Sequence, residues 1–176
     1  MATTIAISFD EYLRTSYEPD AEYVDGQILE RNVGEYDHNL LQMLLVVWFN
    51  QNGETLKVRA IQEQRTVVKP DQSRIPDVAV FPSDQPIEQV FTRPHLIAIE
   101  VISPSDKHSE MQKKIQDYID FGIRYIWYFD PQQRAGWNCS DGNWTRQEMF
   151  RFQNGSIEGL LDLGELFRRM DRGQLF

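Results

Sequence analysis

The sequence predicts an α/β protein of the α+β kind, a central mixed β-sheet flanked by helices, and three observations predict it. The apolar run Leu96-Ile-Ala-Ile-Glu100-Val-Ile102 has strand length and is uninterrupted except for one carboxylate, the pattern of a strand covered on both faces. A helical segment ending at Phe121-Gly122 and a second apolar run, Arg124 to Phe129, follow it, so strand, helix and strand form a βαβ crossover with parallel neighbours. Upstream, Asp25-Gly26 stands between two short alternating arms, a strong signal for an antiparallel hairpin. At 176 residues with one composition throughout, the chain is expected to form a single domain over residues 1–176.

Taken in order, Ser8 to Leu13 reads as the start of a short helix capped by Ser8 or Asp10. A loop through Glu18-Pro19-Asp20 leads to the hairpin Glu22 to Glu30, with Glu22 on its first arm. After the loop Asn32 to Asp37, His38 to Asn52 is apolar almost all round and is expected to be a buried helix with His38 in its first turn. Leu56 to Val68 alternates imperfectly and reads as one or two strands. Pro70-Asp71-Gln72-Ser73 reads as a turn, and Arg74 to Pro82 as a short strand with Asp77 at its beginning.

Ser103-Pro104-Ser105-Asp106 stops the Glu100 strand, and Ser109 with Gln112 has the form of a capping box. Placing the helix residues at intervals of about 100° puts Met111, Ile115, Tyr118 and Gly122 on the sheet-facing stripe, Lys114 at its border and Lys113 in solvent. Beyond Asp130-Pro131 a hairpin is expected, with Trp137 on one arm, a turn at Ser140 to Asn143 and Trp144 to Phe150 on the other. Ile157 to Phe167 reads as a partly helical apolar cover.

Composition excludes several classes. The longest apolar stretch, Leu40 to Phe49, is too short to cross a bilayer, and Met-Ala-Thr-Thr-Ile lacks the parts of a signal peptide, so a cytoplasmic location and no membrane partner are expected. Cys139 is the single cysteine, which excludes an internal disulfide and a thiolate zinc cluster. Histidines scattered at 38, 95 and 108 make a histidine-rich metal site unexpected. Twenty-seven acidic residues against 18 basic give a net charge of −9, which argues against a general nucleic-acid coating protein. It leaves room for a nuclease, because an acidic site holding divalent cations carries a different local charge. Glycine-rich phosphate loops, dinucleotide fingerprints and nucleophile elbows are missing.

Glu100 is the anomaly that points to chemistry. An ionised carboxylate inside an apolar strand costs several kcal/mol unless a counter-charge or metal meets it. Lys114, about one turn into the following helix, is within reach. Two carboxylates on adjacent short strands with a lysine nearby can hold Mg²⁺ or Mn²⁺ and stabilise charge on a phosphate under attack. Pro76-Asp77 and Glu100-Val101-Ile102 resemble the PD-(D/E)XK signature of restriction-endonuclease-like proteins, except that Ile102 stands at the usual lysine position.

That departure belongs to one group. Glu22-Tyr-Val-Asp-Gly26, His38, Ile75-Pro-Asp77-Val, Glu100-Val-Ile-Ser-Pro-Ser105, Lys114-x-x-x-Tyr118, Gly122-Ile and Trp127-Tyr-Phe-Asp-Pro131 together look like the Uma-two family of bacterial endonuclease-type proteins, over roughly residues 8 to 167. Glu110 stands where that family commonly has aspartate. The resemblance implies a restriction-endonuclease-like core, a Mg²⁺- or Mn²⁺-dependent endonuclease activity on DNA, and an active-site lysine moved to the helix, here Lys114. It implies Asp77, Glu100 and the Val101 carbonyl as metal ligands. Lys114 would position or deprotonate the attacking water and stabilise the phosphorane-like charge. Glu22 would complete the acidic cluster, His38 would contact a phosphate or orient Glu22, and Ser103 would bond a metal-bound water or merely end the strand. A nuclease that cuts both strands often acts as a symmetric homodimer, for which the aromatic hairpin from Trp137 to Phe150 would supply the contact.

Each residue also has a plainer reading. Glu100 and Lys114 can be a structural ion pair, Asp77 after a proline a turn residue, and His38 a helix residue satisfied locally. Tyr118, Trp127, Tyr128, Trp137 and Trp144 fall on apolar faces or hairpin arms and are assigned mainly to packing. Lys57, Arg59, Arg65, Lys69 and Arg74 form a basic band that reads as a solvated sheet face or as a phosphate-contacting surface. Two alternatives to the endonuclease stand beside it: a catalytically silent nuclease-fold module with a binding or regulatory role, and a hydrolase of small phosphoesters.

Overall fold

The computed structural model describes residues 7–31 and 35–174, so the loop read at Asn32-Val33-Gly34 and the N-terminal residues 1–5 lie outside the described residues. The chain opens with helix α1 (Phe9–Arg14), whose cap Ser8 accepts a hydrogen bond from the Glu11 N–H at 3.2 Å. Strands β1 (Ala21–Val24) and β2 (Gln27–Glu30) pair antiparallel around Asp25 and Gly26, both at positive φ, as a two-residue hairpin turn requires. Helix α2 (Tyr36–Gln51) and the single turn α3 (Gly53–Leu56) follow.

Strands β3 (Val58–Gln62), β4 (Thr66–Lys69), β5 (Gln72–Arg74), β6 (Val78–Pro82) and β7 (Ile97–Val101) come next. Helix α4 (His108–Phe121) then crosses to β8 (Tyr125–Asp130). The chain closes with β9 (Ala135–Asn138), β10 (Thr145–Arg146), β11 (Met149–Asn154), β12 (Ile157–Asp162) and helix α5 (Leu163–Arg172).

The main sheet has six strands in the order β10-β9-β8-β7-β6-β3. The pair β7–β8, joined by α4, is parallel, as the crossover predicts, and its other pairs are antiparallel. A second sheet of four strands runs β2-β1-β5-β4, and β11 with β12 forms a separate ribbon. Both faces of the main sheet are covered. Ile97, Ile99, Val101, Trp127 and Phe129 point into one core, which α2, α5 and the ribbon close with Leu41, Leu45, Phe49, Phe150 and Leu166. Ala98, Ile126 and Tyr128 point the other way, against Ile115 and Tyr118 of α4. Strand alternation therefore puts Glu100, two residues after Ala98, on the α4 face.

Cys139 lies fully buried in this second core, where burial pushes its thiol up to about 12. Helix α4 ends at Gly122 in the left-handed region (φ 97°), the glycine stop read in the sequence. Among the described residues no helix is long and apolar enough to cross a membrane.

Four local expectations are corrected. Helix α4 begins two residues earlier than the capping box implied, with Lys107 at its N-cap and no side-chain cap bond. Gln112 instead donates to the Gly142 carbonyl and accepts from the Trp144 indole, so tertiary partners take the side chain that a box would use. Gln72 and Ser73 are not turn residues but begin β5, which pairs with both β1 and β4.

The arm read as Trp144 to Phe150 splits. Thr145–Arg146 pairs with β9, whereas Met149 onward pairs with β12 around Gly155-Ser156. Ile157–Asp162 is thus a strand and not part of a helical cover, and the helix starts at Leu163, capped by Asp162. Trp137 and Trp144 pack inward on the second core, Trp144 against Tyr128 and His108, so these indoles are used within the fold.

Candidate active site

A cleft of about 690 Å³ opens where the two sheets meet the start of α4. Its floor is made by the ends of β6 and β7. Asp77, immediately before β6, is buried, and its Oδ2 accepts the Val101 N–H at 2.7 Å. β6 ends its pairing with β7 at Val78↔Ile99, so the next outward N–H of β7 is left for a side chain, and Asp77 takes it. The Asp77 carbonyl is also used, accepting from Gln42 Nε2 at 2.9 Å and from the Glu63 N–H at 3.2 Å. Glu63, on the turn between β3 and β4, holds a left-handed conformation (φ 54°) unusual for its residue type.

Glu100 is met from α4. Lys114 Nζ stands 2.9 Å from Glu100 Oε2, and the Tyr118 hydroxyl donates to Oε1 at 2.6 Å. Lys114 and Tyr118, four residues apart, lie on one helix face, which is why both reach the same carboxylate. Lys114 Nζ also stands 2.9 Å from Glu22 Oε1 and donates to the Ile75 carbonyl at 3.3 Å. Glu22 comes from β1 in the other sheet. Its Oε1 also accepts the Ile75 N–H at 2.9 Å, and its Oε2 accepts from Arg74 at 2.8 Å.

The electrostatics separate these acids. Burial pushes the Glu100 carboxyl up to about 7 against the pull of Lys114, with Asp77 and Glu22 adding to the rise. Burial opposes ionisation of Glu22 as well, but Lys114 and Arg74, with the Ile75 N–H, hold it down to about 2. Asp77 is likewise lowered: burial raises it, and the His38 hydrogen bond and the Arg31 charge outweigh that. Burial disfavours the Lys114 ammonium, yet Glu100 and Glu22 raise its pKa above the ordinary lysine value. Tyr118 is raised well above the usual phenol range, first by burial and then by Glu100 and Glu22, so it remains a donor.

The structure brings together Asp77, Glu100, Lys114 and Glu22, all four foreseen. His38, in the first turn of α2, has Nε2 3.5 Å from Asp77 Oδ2 and meets Asp77, not Glu22. Val101 lines the cleft. Ser103 lines it too, its N–H donating to Asp106 Oδ2 at 2.8 Å. Lys113 points to solvent beside Glu110, as the projection placed it.

Arg31 and Asp117, which the sequence reading passed over, and Arg74, read only as part of a basic band, belong to the same cluster. Arg31, at the end of β2, pairs with Asp77 Oδ1 and stands 3.6 Å from Glu63 Oε1. Arg74 is buried, and besides Glu22 it grips Asp117 Oδ2 through Nε at 2.8 Å and Nη2 at 2.7 Å. Asp117 also receives Lys69 at 2.6 Å and Gln72. Arg74 and Lys69 are thereby removed from the basic band expected to face phosphate. Of the rest, Arg59 stacks over Phe81 and Arg65 over Tyr12. No periodicity marks Arg31. The spacing of Lys114 and Tyr118 was legible, and it carries Tyr118's second role beside packing.

The donor chemistry fits a hard divalent cation. Asp77, Glu100 and the Val101 carbonyl supply oxygen only, and Mg²⁺ commonly takes one or two carboxylates and keeps waters. Burial, with the Asp77 and Glu22 charges adding to it, raises Glu100 to about 7 even with Lys114 beside it, so a further cation there would favour its ionised form. Among the described residues no group of three or more His, Cys, Asp or Glu side chains is gathered to hold a metal, so such a site would rest on two carboxylates, a backbone carbonyl and solvent.

Comparison with known proteins bears on the fold and the family. A crystal structure described as "a putative nuclease belonging to DUF820 from Anabaena variabilis ATCC 29413" superposes with a TM-score of 0.66 at 22% identity, covering 89% of this chain and 84% of that one, which shows a shared fold. The cryoEM structure of a DrdV–DNA complex is matched at a TM-score of 0.36 and 17% identity, over 73% of this chain and 13% of that one. No curated protein matches the sequence. A family model described as "Putative restriction endonuclease" matches residues 9–164, and the chain accordingly belongs to this family, Uma2.

Proposed function

We propose that the protein is a Mg²⁺- or Mn²⁺-dependent endonuclease that hydrolyses DNA phosphodiester bonds at the Asp77, Glu100 and Lys114 cluster. The observation that carries this is the Lys114 ammonium, 2.9 Å from both Glu100 and Glu22 at the cleft floor. A divalent cation bound by Asp77, Glu100 and the Val101 carbonyl would supply Lewis-acid polarisation of the phosphoryl oxygen.

Lys114, its pKa raised by the two glutamates, keeps its proton and acts as a fixed positive charge toward the phosphorane-like transition state, not as a base. Tyr118 and Lys114 together fix both oxygens of Glu100. Glu22, clamped by Arg74 and the Ile75 N–H, holds Lys114 in place from the opposite sheet. His38 stands 3.5 Å from Asp77, which raises its pKa against the effect of burial and so favours its protonated form. Acidic residues outnumber Lys and Arg nine to four around the cleft, which makes cations a condition for a polyanion to approach.

One observation favours a second reading, a silent module that keeps the fold for binding. The oxygens of Asp77, Glu100 and Glu22 already meet protein donors. The test is cleavage of plasmid and branched DNA with Mg²⁺ or Mn²⁺, with and without chelator, by wild type and by Glu100→Ala. Cation-dependent nicking by wild type, lost in Glu100→Ala and in chelator, supports the nuclease. Equal results for the two proteins reject the assignment.

A further inference from the structure

Arg31 holds a position that the proposed reaction does not use. It follows β2, the edge strand of the four-stranded sheet, and reaches across to the other sheet to place its guanidinium on Asp77 Oδ1. Its backbone N–H is tied to the Asp20 carbonyl at 2.9 Å, and Glu63 Oε1 holds its other terminal nitrogen at 3.6 Å. The other oxygen of Asp77 is committed to the Val101 N–H. A cation shared by Asp77 and Glu100 therefore has to contend with Arg31 for Oδ1.

The other cleft cations of the floor are not exchangeable in this way. Lys114 is held by Glu100, Glu22 and the Ile75 carbonyl, and Arg74 by Glu22 and Asp117. Arg31 rests on one strong partner, and its side chain is 17% exposed on the cleft side.

We propose that Arg31 is a stand-in for the divalent cation: it neutralises Asp77 while the cation is away and, once displaced from Oδ1, turns its guanidinium to a DNA phosphate in the same cleft. Guanidinium suits both roles, because carboxylate and phosphate present the same paired acceptor oxygens. This inference rests on the reading of Asp77 and Glu100 as cation ligands. It makes Arg31 a positioning residue that couples cation binding to substrate binding. Where a competitor holds a ligand most of the time, apparent affinity falls by the fraction of molecules left competent.

The test is a titration of Mn²⁺ into wild type, Arg31→Met, Arg31→Lys and Asp77→Asn, following bound ion by electron paramagnetic resonance and folding by circular dichroism. Arg31→Met is expected to bind Mn²⁺ about tenfold more tightly than wild type, the change produced if Arg31 occupies Asp77 in about nine molecules of ten. Arg31→Lys, a monodentate competitor, is expected to fall between the two and keeps the test alive if the methionine variant does not fold. With Mn²⁺ saturating and Lys114→Met present to suppress cleavage, fluorescence anisotropy of a labelled duplex is expected to show DNA binding several-fold weaker for the Arg31→Met variant. Folded Arg31 variants that bind Mn²⁺ no more tightly than wild type, or that bind the duplex as well, overturn the proposal. If Asp77→Asn leaves Mn²⁺ affinity unchanged, it is the cation site itself that fails, whatever Arg31 does.

Discussion

Lys114 Nζ and Glu100 Oε2 meet at 2.9 Å across a strand-to-helix turn, although fourteen residues separate them in the chain. The same nitrogen reaches Glu22 in a different sheet at the same distance. Removing it leaves two buried carboxylates without their shared cation. Lys114→Met is expected to cost about 3 kcal/mol in urea unfolding and to lower DNA cleavage at least about a hundredfold. Lys114→Arg is expected to recover most of the stability and little of the rate, because the larger planar head keeps the charge but not the position. Full cleavage by the arginine variant would show that charge alone suffices.

Tyr118→Phe keeps the buried ring and deletes one donor to Glu100. Loss of that hydrogen bond to a charged group is expected to cost about 2 kcal/mol in stability. Cleavage is expected to fall by roughly 10- to 100-fold, as for groups that orient a metal ligand. Single-turnover rates against Mn²⁺ concentration check this, and an unchanged rate would leave Tyr118 with packing alone.

Asp117→Asn removes the charge on which Arg74, Lys69 and Gln72 converge. Arg74 and Asp117 are both buried, so the expected loss is about 3–5 kcal/mol, read as a lower urea midpoint with an unchanged slope. A loss below about 1 kcal/mol, the scale of a surface pair, would contradict the burial of this network.

His95 gives a pH prediction. It is buried, with Nε2 2.8 Å from the Thr66 hydroxyl, and burial pushes its imidazole down to about 3 from an ordinary 6.5. Between these values the unfolded chain takes up a proton that the folded one refuses. Stability contributed by neutral His95 is therefore complete above pH 6.5 and declines as pH falls toward 3, by about 1.4 kcal/mol per pH unit. His95→Gln lacks this proton. From pH 6.5 to 5 the wild type is expected to lose about 2 kcal/mol more than the variant in urea titrations. Parallel losses would show that His95 titrates alike in both states.

Much of this was legible in the sequence, for reasons that differ by residue. Glu100 announced itself because a carboxylate in an apolar strand breaks a pattern, and Lys114 because helical spacing projects to one face. The crossover and the Asp25-Gly26 hairpin are local signals, and both formed as read. Arg31 and Arg74 were hidden because their partners lie 46 and 52 residues away, and an arginine among polar neighbours looks solvated until tertiary structure buries it. The ribbon β11–β12 had its own sign in Gly155-Ser156, a two-residue turn led by glycine. The apolar content of the flanking segments reads equally as helix or strand, and the ribbon's Gly159, whose Cβ would fall 2.2 Å from the Phe152 ring, is settled only by that cross-strand contact.

The lone thiol offers a practical opening. Cys139 is sealed in the core and held in its unreactive protonated form, so it would not compete for thiol reagents under native conditions. A cysteine introduced at exposed Gln27 on the β1–β2 hairpin would then be the sole labelling point, and a spin label or dye there could follow the hairpin in real time as manganese is added.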